Sequence, residues 1–258
     1  MTKIFKTLML VMFALTLCAG LASAETVRVA FAAEPYPPFT SPDASGNWSG
    51  WEVEMIHAVC EEAKLDCVIT PTAWDGIIPA LLSKKIDMIM GSMSITEARL
   101  KSIDFSDKYY NTPTVVVGTK RIKFDATPEG LKGKVLGVQT ATIHQAYATK
   151  YFSSAEIKEY QTQDEINQDL ISGRIDATQA DSLALETFLE SKEGKACCEM
   201  KGTVADDPAI LGSGVGIGLR KGDDALKAKL NAAIAALRAN GKYDEISKNY
   251  FKFDIYGQ

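Results

Sequence analysis

The stretch GSMSITEAR, residues 91–99, gathers three hydroxyls at Ser92, Ser94 and Thr96 and a fixed positive charge at Arg99. It follows directly on the apolar run IDMIM, which reads as a buried strand. In open parallel sheets, ligands collect outside the carboxyl ends of strands. Ser94 or Thr96 is followed by a helix with Glu97 in its first turn, and the free N–H groups at such a start attract an anion. Arg99 falls in the same turn, and a guanidinium can grip a carboxylate with two parallel bonds. Hydrogen bonds to charged groups contribute roughly 1.5–3 kcal/mol each, so three or four would hold a carboxylate firmly. An ordinary capped helix with a surface arginine fits the same local pattern.

Other chemistry is scarce. The chain has two histidines, and His57, mid-helix among apolar and acidic residues, reads as structural. There is no G-x-S-x-G, H-E-x-x-H or P-loop, and no nucleophile comes with a visible base. In GSGVGIGLRK, residues 212–221, Ile217 stands where a dinucleotide loop needs its third glycine, so no such cofactor is expected. Cys60 and Cys67 straddle a helix end and a strand start and could bridge. Cys197 and Cys198 are neighbours, so a strained bond between them, a pairing elsewhere and free thiols all stay open. The C-x6-C spacing followed by C-C matches no zinc ribbon, and no metal is expected.

Short apolar segments alternate with helical patterns. VRVAF is a strand, residues 51–63 a helix, CVITPT a strand, WDGIIPALLSKK a helix opened by Asp75, and IDMIM a strand. This predicts an α/β architecture with mostly parallel pairing. The pattern repeats as KVLGVQT, a helix over residues 142–151, IKEYQ, a helix opened by Asp164, RIDATQAD and SLALETFLES. LLSKKIDMIMGS and LISGRIDATQAD share the plan of helix end, basic residue, Ile-Asp, strand and polar loop. Two lobes of similar construction are the simplest reading. YYNTPTVVVGTK connects the halves, and a final helix closes at Gly241 as a C-cap.

Residues 1–24 read as a secretory leader: Lys3 and Lys6, an apolar core, and a small-x-small end at Ala22-Ser23-Ala24. Without Lys3 and Lys6 the chain keeps 26 basic against 33 acidic residues, a net charge of −7. An acidic chain without a basic stripe argues against nucleic acid. Export makes disulfides possible.

GSMSITEARLKSIDFSDKYY, together with EPYPPFT, AWDGIIPALLSKKID, LKGKVLGVQTATIHQAY and the C-terminal GVGIGLRK region, resembles the periplasmic polar amino-acid-binding proteins of ABC transporters. These are family 3 solute-binding proteins, and the resemblance is to their lysine/arginine/ornithine, histidine and opine-binding branch. It spans the whole mature chain. It implies a type II periplasmic binding protein fold of two α/β lobes, each a mixed, mostly parallel sheet flanked by helices, joined by two hinge strands. The first lobe would be residues 25–112 and 209–258, the second 113–208. The resemblance places Ser92, Ser94 and Arg99 on an α-carboxylate, with Gly91 and Met93 beside them. Residues Ala141 to Ile143, Thr142 among them, would offer backbone N–H groups to the carboxylate, and Asp181 would pair with the α-ammonium. Tyr36 and Trp74 would sandwich the side chain, and Cys60–Cys67 resembles a disulfide of that branch.

Departures from the family pattern bear on the ligand. The usual acid three residues before the tyrosine is Ala33 here, and a one-residue slip would bring in Glu34. Ile143 replaces a hydroxyl residue, Gly91 replaces a side chain and would widen the pocket, and Gln139 and His144 add polarity. The implied function is capture of a polar or cationic L-amino acid, or an opine, by hinge closure. The protein would act in the periplasm as a monomer, without cofactor, and deliver its ligand to an ABC permease. The alternatives are a dehydratase-type enzyme on the same scaffold, with Glu34 or His144 as the acid, and a partner of a separate sensor.

Overall fold

The computed structural model describes residues 26–257; the expected leader lies outside them. The strands, in chain order, are β1 (Thr26–Ala30), the hairpin β2 (Ser41–Pro42) and β3 (Trp48–Ser49), β4 (Asp66–Ile69), β5 (Met88–Ile89), β6 (Asp104–Tyr110), β7 (Thr114–Thr119), β8 (Val135–Gln139), β9 (Glu156–Tyr160), β10 (Ala177–Asp181), β11 (Cys198–Thr203) and β12 (Val215–Leu219). They form two five-stranded sheets, ordered β4-β1-β5-β12-β6 and β11-β7-β10-β8-β9, besides the hairpin.

Each sheet is mixed, but the parallel share is smaller than the alternation of elements suggests. In the first, β1 pairs in parallel with β4 and β5, while β12 runs antiparallel to β5 and β6. In the second, β8 is parallel to β9 and β10, while β7 is antiparallel to β10 and β11. The reason is the connectivity. The chain passes from β6 straight into β7 through residues 111–113 and returns from β11 to β12 through 204–214. The four strands that carry these crossings lie antiparallel to neighbours, because there the chain passes to the other lobe and does not return to the same sheet by a crossover connection.

Both faces of each sheet are covered by helices, so inner strands such as β7 and β12 are buried along their whole length, while the edge strands β4 and β9 carry exposed charges. The larger core of the first lobe joins Val27, Val29 and Phe31 to the helix Trp51–Glu62 and to Leu230, Ile234 and Leu237 of the last long helix. The opposite face holds Ile77, Leu81, Ile89 and Met93. In the second lobe Leu136, Val138, Tyr147 and Phe152 pack on one face, and Ile166, Leu170, Leu185 and Phe188 on the other.

Local signals set the ends of the helices. The helix Gln163–Ser172 is opened by Thr162, not Asp164: Thr162 accepts from Glu165 N–H and Glu165 reaches back, a capping box. One 3-10 turn, Trp74–Gly76, precedes the helix Ile77–Leu82. Gly241 follows the helix Asp224–Ala239 at φ 83°, the left-handed position that glycine takes without steric cost. Cys60 and Cys67 are bonded with Cα atoms 6.1 Å apart, and Cys197 is bonded to Cys198. No helix of the described residues is long and apolar enough to cross a membrane.

Candidate functional site

Between the sheets lies a cleft of about 640 Å³, counted to its open mouth. It opens at the carboxyl ends of β1 and β5 on one side and of β8 and β10 on the other, where ligands of α/β sheets collect. Twelve of the thirteen residues expected to hold ligand line it: Glu34, Tyr36, Trp74, Gly91, Ser92, Ser94, Arg99, Gln139, Thr142, Ile143, His144 and Asp181.

The thirteenth, Met93, does not. Its side chain is buried in the first lobe's core beside Ile77 and Ile89. The chain bends at Ser92, which is left-handed, so that Ser92 and Ser94 line the cleft while Met93 turns into the core. Gly91 also has a different role from the expected widening of the pocket. A Cβ there would lie 2.7 Å from the Phe31 Cα, so glycine lets two backbones approach.

The wall on the first lobe is built around two charged residues, the half-buried Arg99 and the buried Glu52. Arg99 Nη1 donates to the Ser94 carbonyl at 2.9 Å, and its guanidinium lies 5.5 Å from the centre of the Trp74 ring. Burial lowers the Arg99 pKa to about 10, against the pull of Asp181, so it stays charged at neutral pH. Among the described residues no carboxylate lies within ion-pair distance of it. Its helix, Glu97–Leu100, is a single turn capped by the Thr96 hydroxyl, which accepts from Arg99 N–H at 3.2 Å. The backbone at Ser94 bridges to Val215 of β12, and Ile95 N–H donates to Gly214 O at 2.8 Å.

The second charge, Glu52, was not among the expected residues. It is 1% exposed. Its carboxylate accepts from Ser92 N–H at 2.8 Å, from Ser92 Oγ at 3.1 Å and from the Tyr109 hydroxyl. Burial pushes its pKa up to about 7 although these donors pull it down, and the charge of Asp181 adds to the rise. A signal was present: Glu52 shares the buried face of its helix with Ile56, Val59 and Cys60, an acid where the helical period calls for an apolar residue. Gln163, buried and also lining the cleft, left no such signal.

The second lobe contributes Asp181, at the end of β10 and 9% exposed. Its Oδ2 accepts from the Tyr36 hydroxyl at 2.7 Å and lies 3.6 Å from His144 Nε2; its Oδ1 accepts from Thr112 Oγ1 at 3.2 Å. Burial alone would raise this carboxyl, but the charge and hydrogen bond of His144 and the bonds from Tyr36 and Thr112 hold it below its ordinary value. The helix Ile143–Tyr151 starts at the cleft with Thr142 as its cap, accepting from Gln145 N–H at 3.1 Å. Its first N–H groups, on Ile143 and His144, have no partner within the helix. Two hydrogen bonds span the cleft: Tyr36 to Asp181, and Trp74 Nε1 to the Ala141 carbonyl at 3.2 Å.

At the far end, alternation along residues 32–34 turns Ala33 outward and Glu34 into the cleft. Glu34 Oε2 is buried with no hydrogen-bond partner. Gln139 lies nearby in sequence to the Thr142 cap, its Nε2 already given to the Gln161 carbonyl at 2.9 Å.

Two α/β lobes, crossed twice by the chain and facing one another over a polar cleft, define a solute-binding protein of the hinge-closing class. The chain belongs to the bacterial extracellular solute-binding proteins, family 3, whose model matches residues 27–253. It is 43% identical to the L-arginine-binding protein of Pseudomonas aeruginosa over 92% of both chains. It is 37% identical to the histidine-binding periplasmic protein of Escherichia coli K12 over the full length of both. Among solved structures, an ancestral arginine-binding protein bound to arginine superposes with a TM-score of 0.80 at 31% identity, covering 88% of this chain and 98% of that one.

Proposed function

We propose that this protein captures a cationic L-amino acid in the periplasm and hands it to an ABC permease. The observation that carries the reading is the pairing of opposite charges across one cleft. Arg99, free of any carboxylate partner among the described residues, faces a wall that ends in Asp181. A zwitterion fits between them: carboxylate on Arg99, Ser94 and the Ile143 N–H, ammonium on Asp181. Tyr36 and Trp74 flank the side chain, and aromatic faces attract cations. The unpartnered Glu34 oxygen favours a positive tip, as in arginine, ornithine or lysine; histidine and opine-like derivatives come next. A ligand lacking either backbone charge would leave a buried group unpaired, which is how such a site rejects it.

In this reading residues 25–112 and 209–258 form one rigid lobe and 113–208 the other, and closure is a hinge motion at residues 111–113 and 204–214. Residues 1–24 are removed on export, and the protein works as a monomer without turning its ligand over. Calorimetry with arginine, ornithine, lysine, histidine and an opine tests the proposal. Micromolar binding of at least one is expected, about −8 kcal/mol. Absence of heat with all of them, together with ultraviolet-detected turnover of a prephenate-like acid, would replace the receptor by an enzyme on the same scaffold.

A further inference from the structure

Ser92 has φ 55°, a left-handed backbone that non-glycine residues adopt only when their surroundings over-determine it. What surrounds Ser92 is Glu52. The carboxylate takes both its N–H, at 2.8 Å, and its hydroxyl, at 3.1 Å. Tyr109 of β6 donates to the same carboxylate, so Glu52 is held from one element while it holds another. On the other side of Ser92, Met93 is locked into the core. The peptide between these two anchors has no freedom left. It leads directly to Ser94, whose carbonyl positions Arg99.

The loop on the second lobe uses the same device with different material. Ala141 has φ 59°, and its N–H donates to the side-chain carbonyl of Gln145 at 2.7 Å. There the holder is a neutral amide four residues away, and Ala141 is exposed. In the first lobe the holder is an acid on a separate helix, forty positions distant and buried. An acid is a costly choice for a merely structural bond, since a buried carboxyl needs every acceptor site filled. It accepts from two atoms of one residue at once, which fixes the orientation of Ser92 as well as its φ.

We infer that Glu52 is a positioning residue of the solute site: it locks Ser92 in the left-handed conformation and thereby sets the Ser92–Ser94 segment against which Arg99 presents its free edge. The part of this inference that concerns affinity rests on the amino-acid reading above. The part that concerns the backbone does not, and the two are tested apart.

Hydrogen exchange of the Ser92 amide in ligand-free protein reads the lock itself. Glu52→Ala is expected to raise that exchange by at least tenfold; Glu52→Gln, which keeps a carbonyl oxygen for the N–H, restores most of the protection. Calorimetry with arginine then reads the consequence. Glu52→Ala is expected to weaken binding on the order of 10- to 100-fold, as directly coupled contacts do, and Glu52→Gln to stay within about fivefold of wild type. In a Ser92→Gly background, where positive φ needs no support, Glu52→Ala should cost clearly less. The same loss in both backgrounds, or a folded Glu52→Gln as weak as Glu52→Ala, overturns the inference. So does unchanged Ser92 exchange in a folded Glu52→Ala, whatever the ligand proves to be. Unfolding of Glu52→Ala leaves the Glu52→Gln and Ser92→Gly arms to decide. If wild type binds no amino acid while Ser92 exchange behaves as described, the amino-acid reading fails and the lock stands.

Discussion

The loops over residues 91–99 and 139–145 are built alike and finished differently. Each leaves the carboxyl end of a strand, passes through one left-handed residue, Ser92 or Ala141, and enters a helix under a threonine cap, Thr96 or Thr142. In the first, the left-handed residue is tied to a buried acid on another helix and the capped turn carries a half-buried arginine. In the second, the tie is a local glutamine and the left-handed residue is exposed. The first loop is therefore rigid before any ligand arrives. The second is held mainly by itself and by one bond across the cleft, from Trp74 Nε1 to the Ala141 carbonyl. Pre-organisation on one lobe leaves the ordering cost of binding to the other, the division of labour that hinge closure needs.

The harshest trial of that division is Arg99→Ala. The arginine is the one cation of the rigid loop, and truncating one partner of a buried charge contact costs roughly 2–5 kcal/mol. Amino-acid affinity should fall by at least about 100-fold while thermal unfolding remains cooperative. Calorimetry showing unchanged affinity would take Arg99 out of the site and remove the difference between the loops.

Next in size is a pH effect confined to the first loop. The Glu52 carboxyl has its pKa raised to about 7 by burial, from an ordinary 4.5. Between these values the folded protein holds a proton that the unfolded chain has released, so stability falls as pH rises through the window. The interval corresponds to about 3 kcal/mol. Unfolding by urea at pH 4 to 8 should show wild type losing stability relative to Glu52→Gln across that range. A difference that does not change with pH would mean that the folded state never takes up the proton.

How much of this was legible in the sequence follows from the distance over which each signal acts. The cap at Thr96, the helix after Thr142 and the placement of Arg99 are written in neighbouring residues, and so is the alternation of strands and helices. Met93 stands between Ser92 and Ser94 in sequence, but the left-handed bend at Ser92 and the core around Ile77 and Ile89 take its side chain away from the cleft. Gly91 answers to Phe31, sixty positions away, and Glu52 to Ser92, forty away. Such contacts exist only after the sheet has brought β1, β5 and the helix Trp51–Glu62 together. The antiparallel half of each sheet was hidden for a related reason: alternation of elements does not say where the chain leaves one lobe for the other.

A smaller effect is expected where the lobes touch. Tyr36→Phe keeps the aromatic wall but removes the hydroxyl that donates to Asp181 at 2.7 Å. Asp181 retains Thr112 and His144, so the loss should be modest, about 1 kcal/mol or five- to tenfold in affinity. Small-angle scattering should show the ligand-free protein more open on average. A loss as large as that of Arg99→Ala would mean that the second lobe's wall is pre-organised to the same degree as the first's.

The finest discrimination comes from placing glycine at each left-handed position. Ala141→Gly relieves a conformation that costs an L-residue roughly 1–2 kcal/mol, and it gives back about 0.4–1 kcal/mol in unfolded-state entropy. The Ala141 N–H and carbonyl keep their bonds to Gln145 and Trp74, so the net change should lie between zero and a gain of about 1 kcal/mol. For a chain of this size that moves the melting temperature by no more than about 2–4 °C. Ser92→Gly receives the same backbone relief but strips the Oγ donor from Glu52, leaving a buried carboxylate oxygen short of a partner, a loss of about 1–3 kcal/mol. The two substitutions, alike on paper, should therefore shift the melting temperature in opposite directions. Equal shifts would mean that Glu52 does no more for Ser92 than Gln145 does for Ala141.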